Sequence, residues 1–527
     1  MFTRNNCGRF GRAIGGALLV AILFVGVTAV AQGQPEVAFY ADGQTMMIYW
    51  DPSESYSHEV AVMQNMYELL MYYDAETGGF TPGLARSWDK SDDGLVWTFH
   101  LQEGVKFHTG RPLTADSVKR AFERTIDMGE GPSYIWGDPV DHFEVVDDLT
   151  LRIYLNYPTS LDILASGAYG SYVFDPDAAD TDWFNQGNEC GTAAYMLESS
   201  QGTTEVVLTR FEDYWRGWEG KHFDKIIFKT VAESSTRRLM LESGEADYTN
   251  EMPIPDVEAM RANPDVEIAR NPSWENQVVM FNTAKSPEHP ISNPLVRKAL
   301  AYTLPYKDAV EGIMFGNAQQ SRGVVPYALW GSSDRVKQYT LSPETAKVLL
   351  TAAGYPDGGF SLVLTYGSGD TVVRSIAELW KEQLANLGVE LKLQAMPFDS
   401  MIANARAENP NDRQDIFFFD WFPDNADPMS FLFSLFAAAD PPILNMSYYD
   451  SPVFEALIDR ALKISATNLE EAINLYVEAQ NILMEECVGL AIFDRDYLQV
   501  KRTSLKGYVG SPCYAHVVFW YNCYREE

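Results

Sequence analysis

The chain has 527 residues, and its 73 acidic and 40 basic residues give a formal net charge of −33. A chain of this length exceeds what one hydrophobic core holds, so we expect two or three domains. A surface this acidic repels nucleic acid and anionic lipid, which excludes nucleic acid as an expected partner and favours a soluble monomer.

The N-terminus has the pattern of a secretory signal peptide. Arginines are the only charged residues in the first twelve positions, and an uncharged run over 13–31 ends in Ala29-Val30-Ala31. This pattern predicts a signal peptide over 1–31, cleaved before Gln32, and a periplasmic or other extracytoplasmic location. An uncleaved membrane anchor is the alternative, because the uncharged run is nearly long enough to span a bilayer. Cleavage removes three arginines and no acid, so the net charge changes from −33 to −36.

The segment 82–125 predicts a hairpin followed by a helix. Asp93-Gly94 is a strong turn signal, and residues 95–101 alternate apolar and polar side chains as a half-buried strand does. Residues 104–108 are expected to form its partner strand. Thr114 is placed to cap the helix that follows.

The rest of the chain alternates strand and helix patterns, which indicates α/β packing. Strands are predicted at 205–210, 225–230, 277–282, 360–366, 390–396, 415–421 and 489–493. Helices are predicted at 58–73, 343–353 behind a Ser342 cap, 372–387, 451–463 and 469–486.

Four cysteines follow the predicted cleavage site: Cys190, Cys487, Cys513 and Cys523. An even number in an exported chain favours disulfides, and four cysteines allow three pairings. Cys513 with Cys523 would close a short C-terminal loop, and Cys190 with Cys487 would then join two distant segments. Four free buried thiols are the alternative.

The sequence has no signature of catalysis or of a metal centre. It contains no G-K-S or G-K-T, no H-E-x-x-H, no G-x-S-x-G and no C-x-x-C, and its seven histidines are widely scattered. We therefore expect no catalytic residue, no metal and no cofactor.

Five segments, in order, resemble a known family. They are Tyr67-Glu68-Leu69-Leu70, the block 82–125, the turn 191–195, the pair 279–283 and 294–300, and the loop 421–428. Together they resemble family 5 of the extracytoplasmic solute-binding proteins, the oligopeptide, dipeptide and nickel class that feeds ABC importers. Ala193 and Ala194 depart from the family's G-T-G-P-Y turn, and 303–306 departs from its A-I-D-R segment.

The resemblance implies a two-lobe periplasmic binding protein of the large three-domain, Venus-flytrap type, with a ligand cleft between the lobes. It divides the chain into a discontinuous first lobe (36–59, 188–272 and 496–527), an inserted middle domain (60–187) and a second lobe (273–495). Two crossing strands would then form a hinge.

The loop after the strand 415–421 carries most of the expected ligand contacts. By resemblance to peptide-binding members, Asp424 pairs with the ligand's α-ammonium, because a carboxylate buried on closure needs a cationic partner. Asn425 belongs to the same loop, and a merely solvated turn is the alternative for both residues. Of Trp421 and Phe422, strand alternation allows only one to face the cleft, and the motif favours Trp421.

Two further ligand contacts are expected from the family pattern. Asn282 follows an apolar strand near the cleft, although turn chemistry accounts for it nearly as well. Arg374 stands where some relatives hold the ligand carboxylate, and an ordinary solvated arginine is the alternative.

These features predict the binding subunit of an ABC importer that captures an oligopeptide or dipeptide and delivers it to permease subunits. An oligosaccharide ligand is the alternative within the same family, and 13% aromatic residues would suit sugar stacking. A secreted hydrolase is the alternative of another class, and the missing nucleophile, base and metal argue against it.

Overall fold

The computed structural model describes residues 35–167, 169–178, 180–423, 425–439, 441–514 and 516–526. The predicted signal peptide lies outside these residues. The strands are β1 Val37–Asp42, β2 Met71–Asp74, β3 Gly79–Pro82, β4 Ala85–Lys90, β5 Val96–Leu101, β6 Val140–Asp147, β7 Thr150–Leu155, β8 Tyr195–Ser200, β9 Glu205–Arg210, β10 Lys225–Thr230, β11 Tyr248–Thr249, β12 Val266–Phe281, β13 Ala318–Gln320, β14 Phe360–Gly367, β15 Val389–Met396, β16 Ile416–Trp421, β17 Gly489–Arg502, β18 Leu505–Lys506 and β19 Tyr524–Arg525. The α-helices are α1 Val60–Met66, α2 Ala115–Met128, α3 Tyr134–Gly137, α4 Leu161–Ala165, α5 Thr181–Asn185, α6 Ser234–Ser243, α7 Ile254–Met260, α8 Pro294–Ala301, α9 Pro343–Ala352, α10 Thr371–Ala385, α11 Phe398–Ala405, α12 Met429–Phe436, α13 Pro452–Ile464 and α14 Leu469–Glu486.

Within the described chain, eleven strands form one mixed sheet. Its order is β15-β14-β16-β12-β17-β11-β1-β10-β9-β8, with β13 beside β17. Parallel pairs occur in both halves of the sheet, β14 with β15 and β16, and β1 with β10 and β11. Helices follow most of these strands in the chain, so the predicted α/β class is confirmed.

The two long strands β12 and β17 run antiparallel through the middle of this sheet. Their register shifts between Pro272 and Asn276 and again between Asn276 and Val278. The sequence predicted only the apolar ends of these strands, 277–282 and 489–493. Their other ends carry polar side chains such as Glu275 and so lack a simple alternation.

A separate antiparallel sheet has the order β4-β5-β7-β6. The predicted alternation of β5 is confirmed, because Trp97, Phe99 and Leu101 are buried. The predicted pairing of 104–108 with β5 is wrong: β4 and β7 occupy both edges of that strand. The Asp93-Gly94 turn joins β4 to β5, with Gly94 at a φ of 72°.

Helix α2 begins at the predicted cap. Thr114 Oγ1 accepts the backbone N–H of Ser117, and Ser117 Oγ accepts that of Thr114. This reciprocal capping box satisfies two donors that the helix itself leaves unpaired. The helix packs Phe122 on Trp136 with ring centroids 4.3 Å apart.

The helix predicted at 58–73 ends early, because α1 stops at Met66 and the chain is extended at Tyr67. The next residue, Glu68, is buried, and its carboxylate accepts hydrogen bonds from Thr192, Tyr214 and Trp215 at 3.0 to 3.2 Å. These contacts come from residues distant in sequence, so local periodicity did not reveal the break.

A close approach between two backbone segments explains why the 191–195 turn begins with Gly191. A Cβ at this position would lie 1.8 Å from the carbonyl oxygen of Met66, at the end of α1. Only glycine fits against that backbone.

The expected disulfides are not formed in this structure. All four described cysteines are buried free thiols. Cys513 Sγ lies 3.8 Å from the carbonyl of Ser166, and Cys523 Sγ lies 3.6 Å from that of Phe519. In this structure the four thiols therefore agree with the alternative of free buried cysteines. Cys190 and Cys487 belong to different hydrophobic clusters.

The described core forms several hydrophobic clusters. One lies under the sheet β4-β5-β7-β6, and another packs α8 and α10 on the strands β14 to β16. A larger one includes residues of β1, β10, β16 and α14. The clusters do not fix the limits of the lobes, so the divisions near 60, 188, 273 and 496 stay predictions.

Candidate functional site

A cavity of about 1720 Å³ opens beside the register shifts of β12 and β17. Its lining comes from the loop after β1, the chain before α7, the starts of α3 and α10, the ends of β16 and α12, and the middle of β17. These segments are far apart in sequence. The sheet order brings them together.

The floor of the cavity carries a buried ion pair. Arg495 Nη1 lies 2.8 Å from Glu275 Oε1, and Arg495 also donates to Gln277 Oε1 at 3.4 Å. Burial raises the pKa of Glu275 to about 7, although the charge of Arg495 opposes this shift. Burial acts to lower the pKa of Arg495, but the charges of Glu275, Asp420 and other acidic groups together outweigh it, and the net shift is upward.

The charged lining is predominantly acidic. Its described members are Glu251, Glu275, Asp370, Asp420, Asp496 and Arg495, together with His58 and His516. Burial, followed by the charge of Asp420, raises the pKa of Asp370. The carboxylates therefore outnumber the described basic side chains, and Arg495 is already paired with Glu275.

Trp421 and Phe422 both line the cavity. Trp421 is held in place by its Nε1–H, which donates to the carbonyl of Ser430 at 2.9 Å. The expectation that only one of the two faces the cleft is wrong, because β16 ends at Trp421 and strand alternation does not extend to Phe422. Phe422 instead packs near Tyr497 and His516, with ring centroids 6.4 and 6.3 Å away.

The other predicted ligand residues do not belong to the described lining. Asp424 lies outside the described residues. Asn425 Oδ1 accepts the backbone N–H of Asp427 at 3.2 Å. Asn282 is fully buried, and its Nδ2 donates to the carbonyl of Gln414 at 2.8 Å. Its Oδ1 accepts the backbone N–H of Ala284 at 2.9 Å, as its turn-chemistry alternative requires. Arg374 is exposed on α10, close to the lining residues Val372 and Ser375.

A second polar group in the cavity wall was not predicted from the sequence. His58, Glu251 and His516 each place one nitrogen or carboxylate oxygen within 4.8 Å of the others. They are separated by hundreds of residues, so no local motif spacing could reveal them.

The surroundings of these side chains differ. His58 Nε2 lies 2.7 Å from Asp42 Oδ2. Burial acts to lower the pKa of His58, but the hydrogen bond and the charge of Asp42, together with the charges of Glu251 and Glu59, outweigh it and raise that pKa. Burial and the nearby His58 lower the pKa of His516 to about 3.

The fold and this cavity define an α/β binding protein. The model of the bacterial extracellular solute-binding proteins, family 5 Middle, matches residues 79–441, and the chain belongs to this family. The resemblance seen in the five sequence segments is thereby confirmed. The family consists of extracellular binding proteins, which agrees with the expected extracytoplasmic location.

Several relatives are similar over nearly the whole chain. A probable D,D-dipeptide-binding periplasmic protein, DdpA of Escherichia coli K12, is 28% identical over 94% of this chain and 95% of its own length. Heme-binding protein A of Haemophilus influenzae is 28% identical over 86% of each chain. The structure of DppA from Helicobacter pylori in complex with the peptide STSA is 26% identical, covers 93% of this chain and 98% of its own, and has a TM-score of 0.75.

None of the helices that the structure describes combines the length and apolar character that crossing a bilayer requires.

Proposed function

We propose that this chain is the periplasmic ligand-capturing subunit of an ABC importer and that its ligand is a short peptide with a free N-terminal ammonium. The single observation that carries the peptide assignment is the charge of the cavity lining. Five carboxylates face one arginine there. That arginine is paired with Glu275, and Asp496 is paired with Arg270 outside the lining, which leaves Glu251, Asp370 and Asp420 without an arginine or lysine ion pair among the described residues.

Such a lining favours a cationic group in the ligand. Carboxylates that become desolvated when a site closes are stabilised by an opposite charge within a few ångströms. A peptide α-ammonium supplies one such charge, and basic side chains would supply more. A ligand with several carboxylates would be repelled by the same groups.

The size of the cavity also supports a peptide. Pockets for single small molecules usually measure about 300–1,000 Å³, and 1720 Å³ exceeds that range. The extra volume would accommodate several residues of an extended chain with bridging water, so that main-chain hydrogen bonds supply affinity and side chains occupy roomy pockets.

The relatives are named for two kinds of ligand, peptides and heme, and these differ in charge. The acidic cavity lining therefore favours one kind over the other. A D,D-dipeptide and the peptide STSA carry an ammonium group. Heme carries two propionates, which the acidic lining disfavours. A sugar carries no charge and would rely on Trp421, Phe422 and other aromatic side chains of the lining. A hydrolase would need a nucleophile with its base, and membership of a binding-protein family argues against one.

Native mass spectrometry of protein purified from its own periplasm without refolding tests the proposal. We expect retained ligands with masses of short peptides, released on denaturation. Calorimetry should then rank a peptide of neutral side chains at least tenfold above a matched peptide carrying two glutamates, measured at low salt where charge effects are strongest. Retention of heme or of hexose-based masses, or tighter binding of the acidic peptide, would overturn the peptide assignment.

A further inference from the structure

The unpredicted group in the cavity wall consists of His58, Glu251 and His516. Two imidazoles and one carboxylate are a donor set that binds Zn²⁺ and similar divalent transition metals. All three residues also line the cavity, so an ion would have a route of entry. We propose that these three side chains bind one divalent ion of the Zn²⁺ type at the cavity wall.

The surroundings of His58 resemble those of a metal ligand. Metal-bound histidines usually donate their second ring N–H to a carboxylate, which fixes the tautomer and orients the ring. Asp42 is fully buried, and its Oδ2 lies 2.7 Å from His58 Nε2. Its other oxygen, Oδ1, accepts the backbone N–H of Gln44 at 2.8 Å. Asp42 is therefore fixed in place, and a proton on Nε2 leaves the lone pair of Nδ1 for a ligand.

His516 has a corresponding partner in Asn250. The Nδ2 of Asn250 lies 3.5 Å from His516 Nδ1, while its buried Oδ1 has no hydrogen-bond partner among the described residues. A half-turn of this amide exchanges the two atoms. Oδ1 would then accept a proton on Nδ1, which satisfies the orphaned oxygen and leaves the lone pair of Nε2 for an ion.

Glu251 is held in an uncommon backbone conformation. Its φ is 49°, a value that few residues other than glycine adopt. The buried guanidinium of Arg237 donates to the Glu251 carbonyl at 3.0 Å and anchors this turn. Such outliers concentrate at functional sites, where the surrounding structure maintains them. Here the turn presents an accessible carboxylate beside two histidines.

The spacing indicates how much the group must move. The three donor atoms lie within 4.8 Å of one another, whereas Zn²⁺ bonds of 2.0–2.1 Å in tetrahedral geometry keep donor atoms about 3.4 Å apart. Binding therefore requires the side chains to approach by up to about 1.4 Å. Glu251 is exposed and can supply most of this movement. Three protein donors leave the fourth position open to water or to a donor atom in the cavity.

Zinc titration of the exported chain without a polyhistidine tag tests this site. After EDTA treatment and desalting, calorimetry with ZnCl₂ and elemental analysis should both give one ion per chain. His516→Gln and Glu251→Gln should each weaken binding at least tenfold, and Asp42→Asn about 10–100-fold, as for other partners of ligating histidines. The matched control is His142→Gln, since His142 is exposed, its Nδ1 lies 2.7 Å from Asp141, and it belongs to no three-donor group among the described residues.

Two further readouts separate metal binding from loss of folding. Thermal unfolding of each metal-free variant establishes that it folds, and zinc should raise the midpoint of wild type and of His142→Gln only. Co²⁺ in place of Zn²⁺ should give a visible absorption band that Glu251→Gln alters. The proposal is wrong if the wild type shows no saturable binding, or if Glu251→Gln and Asp42→Asn bind zinc as the wild type does.

Discussion

Asp424 is the residue whose replacement tests the peptide assignment most directly. It lies in the motif W-x-x-D-x-x-D-P, two positions after Phe422, and Trp421 and Phe422 line the cavity. If Asp424 pairs with the α-ammonium, Asp424→Asn keeps the side-chain shape but leaves that cation unpaired in a desolvated site. We expect a loss of about 2–5 kcal/mol in binding, or roughly thirty-fold to several thousand-fold in affinity.

The control for this prediction acts on the ligand. Acetylation of the peptide N-terminus should weaken wild-type binding to a similar extent and should hardly affect the variant, and calorimetry over the four combinations gives the coupling. Asp92→Asn, at an exposed position in the β4–β5 turn, should bind as the wild type does. Equal affinity of wild type for free and acetylated peptide would refute the ammonium pairing.

For single residues, the sequence drew attention to those that stand next to a recognisable strand. It missed the cavity residues that only the tertiary fold brings together. Trp421 and Phe422 stand at the end of an apolar run, and both line the cavity. Asn282 also follows such a run, but its amide satisfies backbone groups instead. Glu275 and Arg495 pair across two strands far apart in sequence. Pairing of that kind depends on tertiary register, which no single segment encodes.

Helix α12 carries a second testable carboxylate at its start. Asp427 Oδ1 accepts both the backbone N–H of Met429 at 2.8 Å and the hydroxyl of Tyr476 at 3.2 Å. Burial raises the pKa of Asp427 from 3.8 to about 6. Between these values the folded chain keeps a proton that the unfolded chain has released. The free energy of unfolding therefore falls as pH rises from about 4 to about 6.

We predict that Asp427→Asn stabilises the protein at pH 8 and has little effect at pH 4. Asparagine keeps an oxygen for both hydrogen bonds and carries no charge to bury. The gain at pH 8 should be about 2 kcal/mol, after a small loss of interaction with the helix dipole. Thermal unfolding midpoints from pH 4 to pH 8 measure it.

The control for α12 is another helix-capping aspartate. Asp180 is exposed and caps α5 by accepting the backbone N–H of Trp183 at 2.8 Å. Asp180→Asn should leave the difference between pH 4 and pH 8 unchanged. A variant of Asp427 that is destabilised equally at both pH values would show that its carboxylate is ionised and needed in the folded state.

At the scale of elements, prediction succeeded where the signal is local. Ser342 and Thr114 cap α9 and α2 as predicted, because a cap depends on residues three positions apart. Helix α14 has the predicted limits, 469–486. The helix expected at 58–73 failed because the buried contacts of Glu68 interrupt it. The predicted pairing of 104–108 with β5 failed because the partner of a strand depends on the arrangement of the whole sheet and not on the nearest segment in sequence.

The arrangement of the whole molecule bears on how a ligand enters. The strands β14, β15 and β16 adjoin one end of the β12–β17 pair, and β11, β1 and β10 adjoin the other. Between these ends the ladder loses its regular register, from Pro272 to Val278. There the Ser273 hydroxyl donates to the Arg495 carbonyl at 2.6 Å and accepts the Glu275 N–H at 3.1 Å. A bend would therefore concentrate at this point, beside the cavity.

We predict that ligand binding closes the molecule about this irregular segment. Two strands that cross between packed regions permit a hinge, and closure would desolvate the acidic cavity lining around the ligand. A compact chain of this length has a radius of gyration of about 23 Å. Small-angle X-ray scattering should give a larger value without ligand and a decrease on saturation with a peptide of established affinity.

The N-acetylated peptide, at a concentration where calorimetry detects no binding, should leave the scattering curve unchanged. If a saturating, tightly bound peptide also leaves the curve unchanged, the cavity is a preformed rigid site, and the register shifts in β12 and β17 serve only to shape its floor.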